Sequence, residues 1–376
     1  MRIAFDHQAF CLQTTGGISR YFCSIAPLLA SKEQAVAIFA PVYRNQYARD
    51  LNKGLVHGLG VKQYPPKAAS AMVLANAWLS RQQIKRWQPD VVHETYFSNQ
   101  PSAPAKTPRV VTVFDMIGEL FGTDGADANE RKRSKKYAAV SRADRVICIS
   151  HQTRDDLVRL FDIPEDKIAV VHLGCEQAPP RSLGAWPSTV QNNDRPFLLY
   201  VGLREGYKNF DRLLAGLAHS PTLRASVDLV AFGGGAFTAQ ETQRIQRLNF
   251  RSNQIRQMSG DDQTLDQLYR SAIAFVYPSI YEGFGLPPLE AMARNCPVIS
   301  SQASVMPEVI GTAAEYFDPN EVDSISAAIE KVITDDSRRR QLVGLGAERI
   351  QQFTWQRCAQ ETLAVYQRLH SGRILT

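Results

Sequence analysis

The chain has 376 residues, 44% apolar and 21% charged, with a formal net charge of +6. That length suits two domains able to bury cores of their own, and the balance excludes a disordered or fibrous chain. No run approaches eighteen apolar residues and the charged start Met1-Arg2-Ile3 opens straight into a strand, so neither a membrane span nor a signal peptide is expected, and the chain should stay in the cytoplasm.

Residues 2–5 predict a short buried strand, and the polar loop after it ends in Gly16-Gly17, where a helix striped with Ile18, Phe22, Ile25 and Leu29 begins. The two glycines let the main chain approach a phosphate; an ordinary helix-start turn uses the same pair. Residues 35–40 predict a second strand, while 41–61 carry no clear pattern. The span 68–87 predicts a helix in which Trp78 and Trp87 stand beside Arg81, Lys85 and Arg86. It fits a helix packed on a sheet with its basic side in water, and it also fits contact with an anionic lipid surface.

Strands follow at 91–93 and 110–114. Open α/β sheets hold ligands in the loops beyond the carboxyl ends of their strands, which makes His93, Glu94, Tyr96 and Asp115 cleft candidates. Asp115 is equally suited to capping the turn after its strand. Residues 130–145 form a basic run, either a solvated helix face or one turned to an anionic partner. A strand at 146–149 leads to Ser150, an N-cap for the next helix. Residues 176–195, rich in Pro, Ser and Asn and without periodicity, predict a linker.

A buried strand at 197–202 opens the second half. Arg204 and Lys208, four apart just past its end, are placed to neutralise a departing pyrophosphate. The strand at 227–232 runs into Gly233-Gly234-Gly235, whose spacing is not a dinucleotide fingerprint and argues against a dehydrogenase. The chain returns to the sheet edge at 255–260, and Asp261 predicts the cap of the helix beyond. The strand at 272–277 leads into S-I-Y-E-G-F-G-L-P-P-L-E-A-M-A (279–293). Prolines suit a first helical turn, and the amides of Phe284, Gly285 and Leu286 are offered there to hydroxyls or phosphate oxygens. Glu282 and Glu290 lie eight apart across a turn, too far separated to form an acid/base pair on one carbon, and they suit gripping two parts of one long ligand. Six scattered cysteines without paired or ligand spacing fit reduced, packed thiols rather than a disulfide frame, and no structural zinc is expected. The positive charge favours an anionic partner, and no nucleic-acid signature accompanies it.

The Glu, seven residues, Glu arrangement around E-G-F-G-L, with C-P-V-I-S-S (296–301) and P-E-V-I-G (307–311), resembles the donor-binding signature of family 4 retaining glycosyltransferases. The fold this implies is α/β, two facing Rossmann-like doubly wound domains (GT-B) with an interdomain cleft. Residues 1–175 would be the acceptor domain, with a last helix at about 355–376 packing back on it, and 196–354 the nucleotide-sugar domain.

The same resemblance implies roles. Arg204, Lys208 and the Gly16-Gly17 loop would share the donor diphosphate with the amides after Glu282. The main chain at Gln257 and Met258 would hold the base, Glu282 the sugar and Glu290 the ribose. A hexose would pass with retention to a hydroxyl of a growing surface glycan, the departing phosphate taking the acceptor proton, with no metal and no cofactor. Many relatives carry His-Asp where this chain has Phe114-Asp115. The histidine's role is therefore not carried over, and Asp115 becomes the candidate for contacting sugar or acceptor. The whole pattern is most similar to bacterial mannosyl- and rhamnosyltransferases of surface polysaccharide assembly, which favours GDP-mannose, with UDP-glucose, UDP-GlcNAc and dTDP-rhamnose as alternatives. The implied partners are the donor and a glycan or lipid-linked acceptor, but not nucleic acid; peripheral contact with an anionic membrane is the alternative that the 68–87 helix leaves open. A noncatalytic nucleotide- or glycan-binding subunit is the rival reading, with Phe114 as its signal.

Overall fold

Short apolar runs bounded by loop residues become strands covered on both faces, the environment a parallel sheet between helices demands. Ile3, Ala4 and Phe5, for example, are all fully buried. The computed structural model describes every residue except 53, 66–67, 123–124, 177–194 and 375–376. Nearly all of the expected linker, 176–195, thus lies outside the described residues. The chain divides into two units, Met1–Gly174 with Trp355–Thr376, and Cys175–Thr354.

In the first unit the chain runs β1 (Arg2–Phe5), α1 (Gln8–Leu12), α2 (Gly17–Ala30), β2 (Ala35–Ile38), β3 (Val42–Tyr43), α3 (Gln46–Asp50), β4 (Leu59–Gly60) and α4 (Ala69–Trp87). It continues through β5 (Val91–Glu94), β6 (Arg109–Val113), α5 (Ile117–Phe121), α6 (Ala126–Arg142), β7 (Arg145–Cys148), α7 (His151–Phe161) and β8 (Ile168–Val170). Six strands form one parallel sheet in the order β2-β1-β5-β6-β7-β8, while β3 and β4 pair separately. The chain adds β2 on one side of β1 and then crosses to the other side for β5. The direction of winding therefore reverses between β1 and β5, where an open sheet leaves a crevice beyond its strand ends.

The second unit repeats the plan with β9 (Phe197–Val201), α8 (Phe210–His219), α9 (Pro221–Ser226), β10 (Asp228–Phe232), α10 (Ala239–Arg247), β11 (Ile255–Met258), α11 (Asp262–Ser271) and β12 (Ala274–Tyr277). Then come α12 (Leu286–Met292), β13 (Val298–Ser301), α13 (Met306–Ile310), β14 (Ala314–Phe317), α14 (Val322–Thr334) and α15 (Asp336–Arg349). Its parallel order is β11-β10-β9-β12-β13-β14, so winding reverses between β9 and β12. Leu213, Leu214 and Leu217 of α8 pack with Ile325 and Ile329 of α14 over Leu198 and Tyr200. Gly216 permits this approach, since a Cβ there would lie 2.7 Å from Ile325 Cγ2.

The last helix, α16 (Trp355–Ile374), belongs to the first unit. It packs on α2, and the Tyr366 hydroxyl lies 2.6 Å from His93 Nδ1, which ties it to the sheet. All six cysteines are buried, and none is in a disulfide.

Candidate active site

The loops after β9 and β12 meet over the winding reversal of the second unit. Past β9 a single 3-10 turn, Gly206–Lys208, is followed by Asn209, buried and left-handed at φ 58°. Asn209 Nδ2 donates to the carbonyls of Pro278 (3.1 Å) and Pro319 (2.7 Å), and the Ile280 amide donates to the Tyr207 carbonyl at 2.8 Å. These bonds bring Lys208 against Glu282, with Nζ 2.6 Å from Oε1 and the two side chains 16% and 9% exposed. Tyr277 adds its ring below the ammonium, 5.8 Å from Nζ. Burial first, and then the Glu282 carboxylate, hold the Tyr277 phenol far above its ordinary range, so that it stays a donor toward that carboxylate. Ser304 closes the far side, its Oγ donating to the Glu282 carbonyl at 3.1 Å.

Beyond Glu282 the chain turns at Gly285, whose φ of 98° is left-handed and which caps α12. Pro287 and Pro288 have no N–H, so the donors at this helix start come from Gly285 and Leu286. Phe284 is buried against Phe353. Glu290, one helical turn in, receives the Tyr269 hydroxyl at 3.4 Å. Burial, and then the negative charge of Glu290, raise Tyr269 well above the usual phenol range.

Arg204 is engaged by a different loop from the one that meets Lys208. Its buried guanidinium clamps the turn after β10, donating to the carbonyls of Gly233 (2.8 Å), Gly235 (3.1 Å) and Ala236 (3.1 Å) and to Glu241 (2.6 Å), over the ring of Phe237. A cavity of about 500 Å³ on this side is lined by Arg204 and Arg244 but also by Glu205, Asp211 and Glu241, a mixed set poorly suited to a diphosphate. Gln257 joins the same turn: its Nε2 reaches the Gly233 carbonyl at 3.4 Å and its own neighbour's Met258 carbonyl at 2.8 Å. Of the expected donor residues, the structure thus brings Lys208 to Glu282, and Arg204 to Gln257 through Gly233.

Gly16, Gly17 and Asp115 belong to the first unit. Gly16 caps α2, and the side chain of Gln13 folds over this helix start, Oε1 accepting the Ser19 amide at 3.1 Å. The polar group over the Gly-Gly loop is therefore a side-chain carbonyl. Asp115 Oδ1 accepts the Ile117 amide at 3.1 Å, the turn-capping contact its position allows, and Lys136 donates to its carbonyl at 2.9 Å. His93 and Glu94 are buried within the unit. His93 Nε2 lies 2.9 Å from Thr112 Oγ1, and Glu94 pairs with Arg142 at 2.7 Å.

A network at the first unit's winding reversal has no counterpart in the expectations. Asp6, fully buried, accepts from Thr95 Oγ1 (2.6 Å), the Thr95 amide (2.9 Å), Gln8 Nε2 (2.7 Å) and Ser102 Oγ (2.6 Å). One short motif could have signalled it, an acid directly following an apolar strand at its carboxyl end.

Among the described residues no helix is long and apolar enough to cross a membrane. The family model for glycosyltransferase family 4 matches residues 15–177, and that for glycosyl transferases group 1 matches 187–348. The O-antigen chain mannosyltransferase B of Escherichia coli is 32% identical over 275 residues, 71% of this chain and 72% of that protein. Among solved structures, sucrose-phosphate synthase from Thermosynechococcus elongatus superposes with a TM-score of 0.74 at 20% identity, covering 99% of this chain and 100% of the other. Anabaena Alr3699/HepE, solved with UDP and glucose, gives 0.72 at 17% identity, over 99% and 100%. With two parallel-sheet α/β units, both family models and a relative matched across most of its length, the chain belongs to the family 4 glycosyltransferases and has their GT-B fold.

Proposed function

We propose that this glycosyltransferase moves mannose from GDP-mannose to a hydroxyl of a growing surface glycan, with retention at the anomeric carbon. The observation that carries the site is the Lys208–Glu282 pair over the β9/β12 reversal. The sugar is suggested by the named activity of the 32% identical relative.

In the reaction the bond from the anomeric carbon to the phosphate oxygen breaks, and a bond to the acceptor oxygen forms on the same face. The acceptor proton passes to the leaving phosphate oxygen. Lys208 exchanges Glu282 for the departing diphosphate, joined by the amides of Gly285 and Leu286, and the freed Glu282 carboxylate accepts from sugar hydroxyls. Charge supplied in this way makes a divalent metal unnecessary. Glu290 holds the ribose, and the main chain of Gln257 and Met258 the base. Arg204 acts through the glycine turn it clamps. Work on such an acceptor takes place at the cytoplasmic face of the membrane.

The test is transfer or hydrolysis with GDP-mannose, UDP-glucose, UDP-GlcNAc and dTDP-rhamnose in EDTA, with the product's anomeric configuration read by NMR. Turnover with GDP-mannose and an α product is expected. Preference for another donor, inversion, or activity lost in EDTA and restored by Mn²⁺ overturns the corresponding part, and binding of nucleotide-sugar without any turnover selects the noncatalytic reading.

A further inference from the structure

Ser304, in the loop from β13 to α13, holds φ at 55°, in the left-handed region. The other non-glycine residues with a left-handed φ among those described are four asparagines, an aspartate, a glutamine and a glutamate. Asparagine and aspartate reach this conformation at reduced cost because their short carbonyl-bearing side chains bond locally, and glycine reaches it freely; serine has such help only weakly. Backbone strain of this kind persists where the surroundings hold it, and it collects at functional sites.

A glycine at 304 would free the backbone of that strain. What serine adds is a hydroxyl, and the hydroxyl serves one residue: Ser304 Oγ donates to the Glu282 carbonyl at 3.1 Å and accepts the Glu282 amide at 3.4 Å. One side chain thus brackets both peptide groups of the residue whose carboxylate meets Lys208 Nζ at 2.6 Å. Gly283, next in the chain, has no side chain to limit rotation there, which gives a restraint from another loop its value.

A second serine sets the register. Ser301, the last residue of β13, donates Oγ to the Ser279 carbonyl at 2.6 Å, and both pairs are separated by 22 residues in the chain. The loops beyond β12 and β13 therefore run side by side. Ser301 and Ser279, fully buried, anchor the first of them where it leaves the sheet, and Ser304 takes hold of it again at Glu282.

We infer that Ser304 is a positioning residue: its hydroxyl, held on a strained backbone, fixes the Glu282 main chain so that the carboxylate faces Lys208 and, during transfer, the sugar hydroxyls. The inference rests on the glycosyl-transfer reading above and adds a residue to that site.

The test compares Ser304→Gly, Ser304→Ala and Glu282→Gln in turnover of GDP-mannose, or of whichever donor in the panel above the wild type turns over, each alongside a thermal melt. Glycine removes both the strain and the hydroxyl, and alanine removes the hydroxyl alone. Ser304→Ala should therefore melt earlier than Ser304→Gly, while both lose kcat by about tenfold, the effect of a misdirected rather than a missing group. In the Glu282→Gln background Ser304→Gly should add a loss of less than about twofold, because a residue acting through Glu282 is coupled to it. Turnover that simply follows the melt, with Ser304→Ala impaired and Ser304→Gly as active as wild type, overturns the inference. So does a full second loss in the double variant, which would mean that Ser304 acts on something else. Near-wild-type turnover in Glu282→Gln overturns the Lys208–Glu282 site and the inference with it. An impaired Glu282→Gln beside an unimpaired Ser304→Gly overturns the inference alone.

Discussion

Lys208 Nζ and Glu282 Oε1 lie 2.6 Å apart although 74 residues separate them in the chain. They meet because β9 and β12 are sheet neighbours, paired through Ala274 and Leu198, and their following loops are bonded to each other by Asn209 and Ile280. A nearly buried ion pair is poor evidence of stabilisation, because desolvation offsets much of its attraction. Its position at a winding reversal gives it a different meaning under the proposed function, where a ligand carrying both a phosphate and hydroxyls would divide the two charges.

Replacing Lys208 by Ala should lower kcat by a factor on the order of 10² or more, the loss expected on removing one preorganised charge stabiliser. Glu282→Gln should raise KM for the donor as well as lower kcat, since a carboxylate gripping hydroxyls acts in the ground state too. Steady-state kinetics on both variants and on the double variant check this. Near-normal turnover in Lys208→Ala would remove the pair from the mechanism.

Arg204 makes a different prediction. Its guanidinium meets at least four acceptors in a planar fan, a geometry that an ammonium cannot reproduce. Arg204→Lys should therefore behave almost like Arg204→Ala, both losing roughly 3 kcal/mol of stability as charge-assisted bonds to Glu241 and the turn are broken. Urea melts measure the loss. Donor KM should rise with it, because Gln257 shares the Gly233 carbonyl with Arg204. Full rescue by Lys would show that charge at this position matters more than the fork.

Strand positions were legible because buried parallel strands are short unbroken apolar runs; the one at 2–5 is matched residue for residue, and the one expected at 197–202 ends at Val201. Caps were legible for a similar local reason: Ser150 and Asp261 each accept the amide three residues on. The small β3–β4 pair escaped notice because two-residue strands carry no periodicity, and α15 because its charged sequence Asp336-Ser337-Arg338-Arg339-Arg340 hides a thin apolar stripe. Arg204 shows the limit at the site. Sequence spacing places it four residues before Lys208 but says nothing of the Gly233–Ala236 carbonyls that engage it, which come from another strand's loop. Asp6, Asn209 and Ser304 were missed for the same reason, since each acts through main chain distant in sequence.

Gly285→Ala isolates backbone conformation from crowding. A Cβ there would have room, with Tyr277 Cε1 nearest at 3.7 Å, so the cost is that of holding φ at 98° with a side chain. That cost is about 1–2 kcal/mol. It can be relieved only by rotating the amides of Gly285 and Leu286 away from their present direction. The variant should melt slightly earlier and lose disproportionately in kcat. Equal loss in stability and none in turnover would mean that these amides do not meet the reacting diphosphate.

His93 gives the first unit a pH dependence whose sign can be worked out. Its ring is fully buried between Tyr366 and Thr112, and burial, only partly countered by Asp6, pushes its pKa down to about 3. The folded protein therefore keeps His93 neutral while the unfolded chain protonates it near its ordinary value of about 6.5. Its contribution is fully present above that value and is lost as pH falls toward 3, at about 1.4 kcal/mol per unit, or roughly 2 kcal/mol by pH 5. His7, also lowered by burial, acts in the same direction, whereas Glu94, raised by burial and by Asp6, binds its proton more readily when folded and acts in the opposite one. Comparing wild type with His93→Gln removes those two from the difference. Hydrogen exchange at β5 and β6 in urea should show wild type losing its stability advantage over the variant between pH 7 and pH 5. A constant difference across that range would mean that the ring between Tyr366 and Thr112 takes up its proton as readily folded as unfolded.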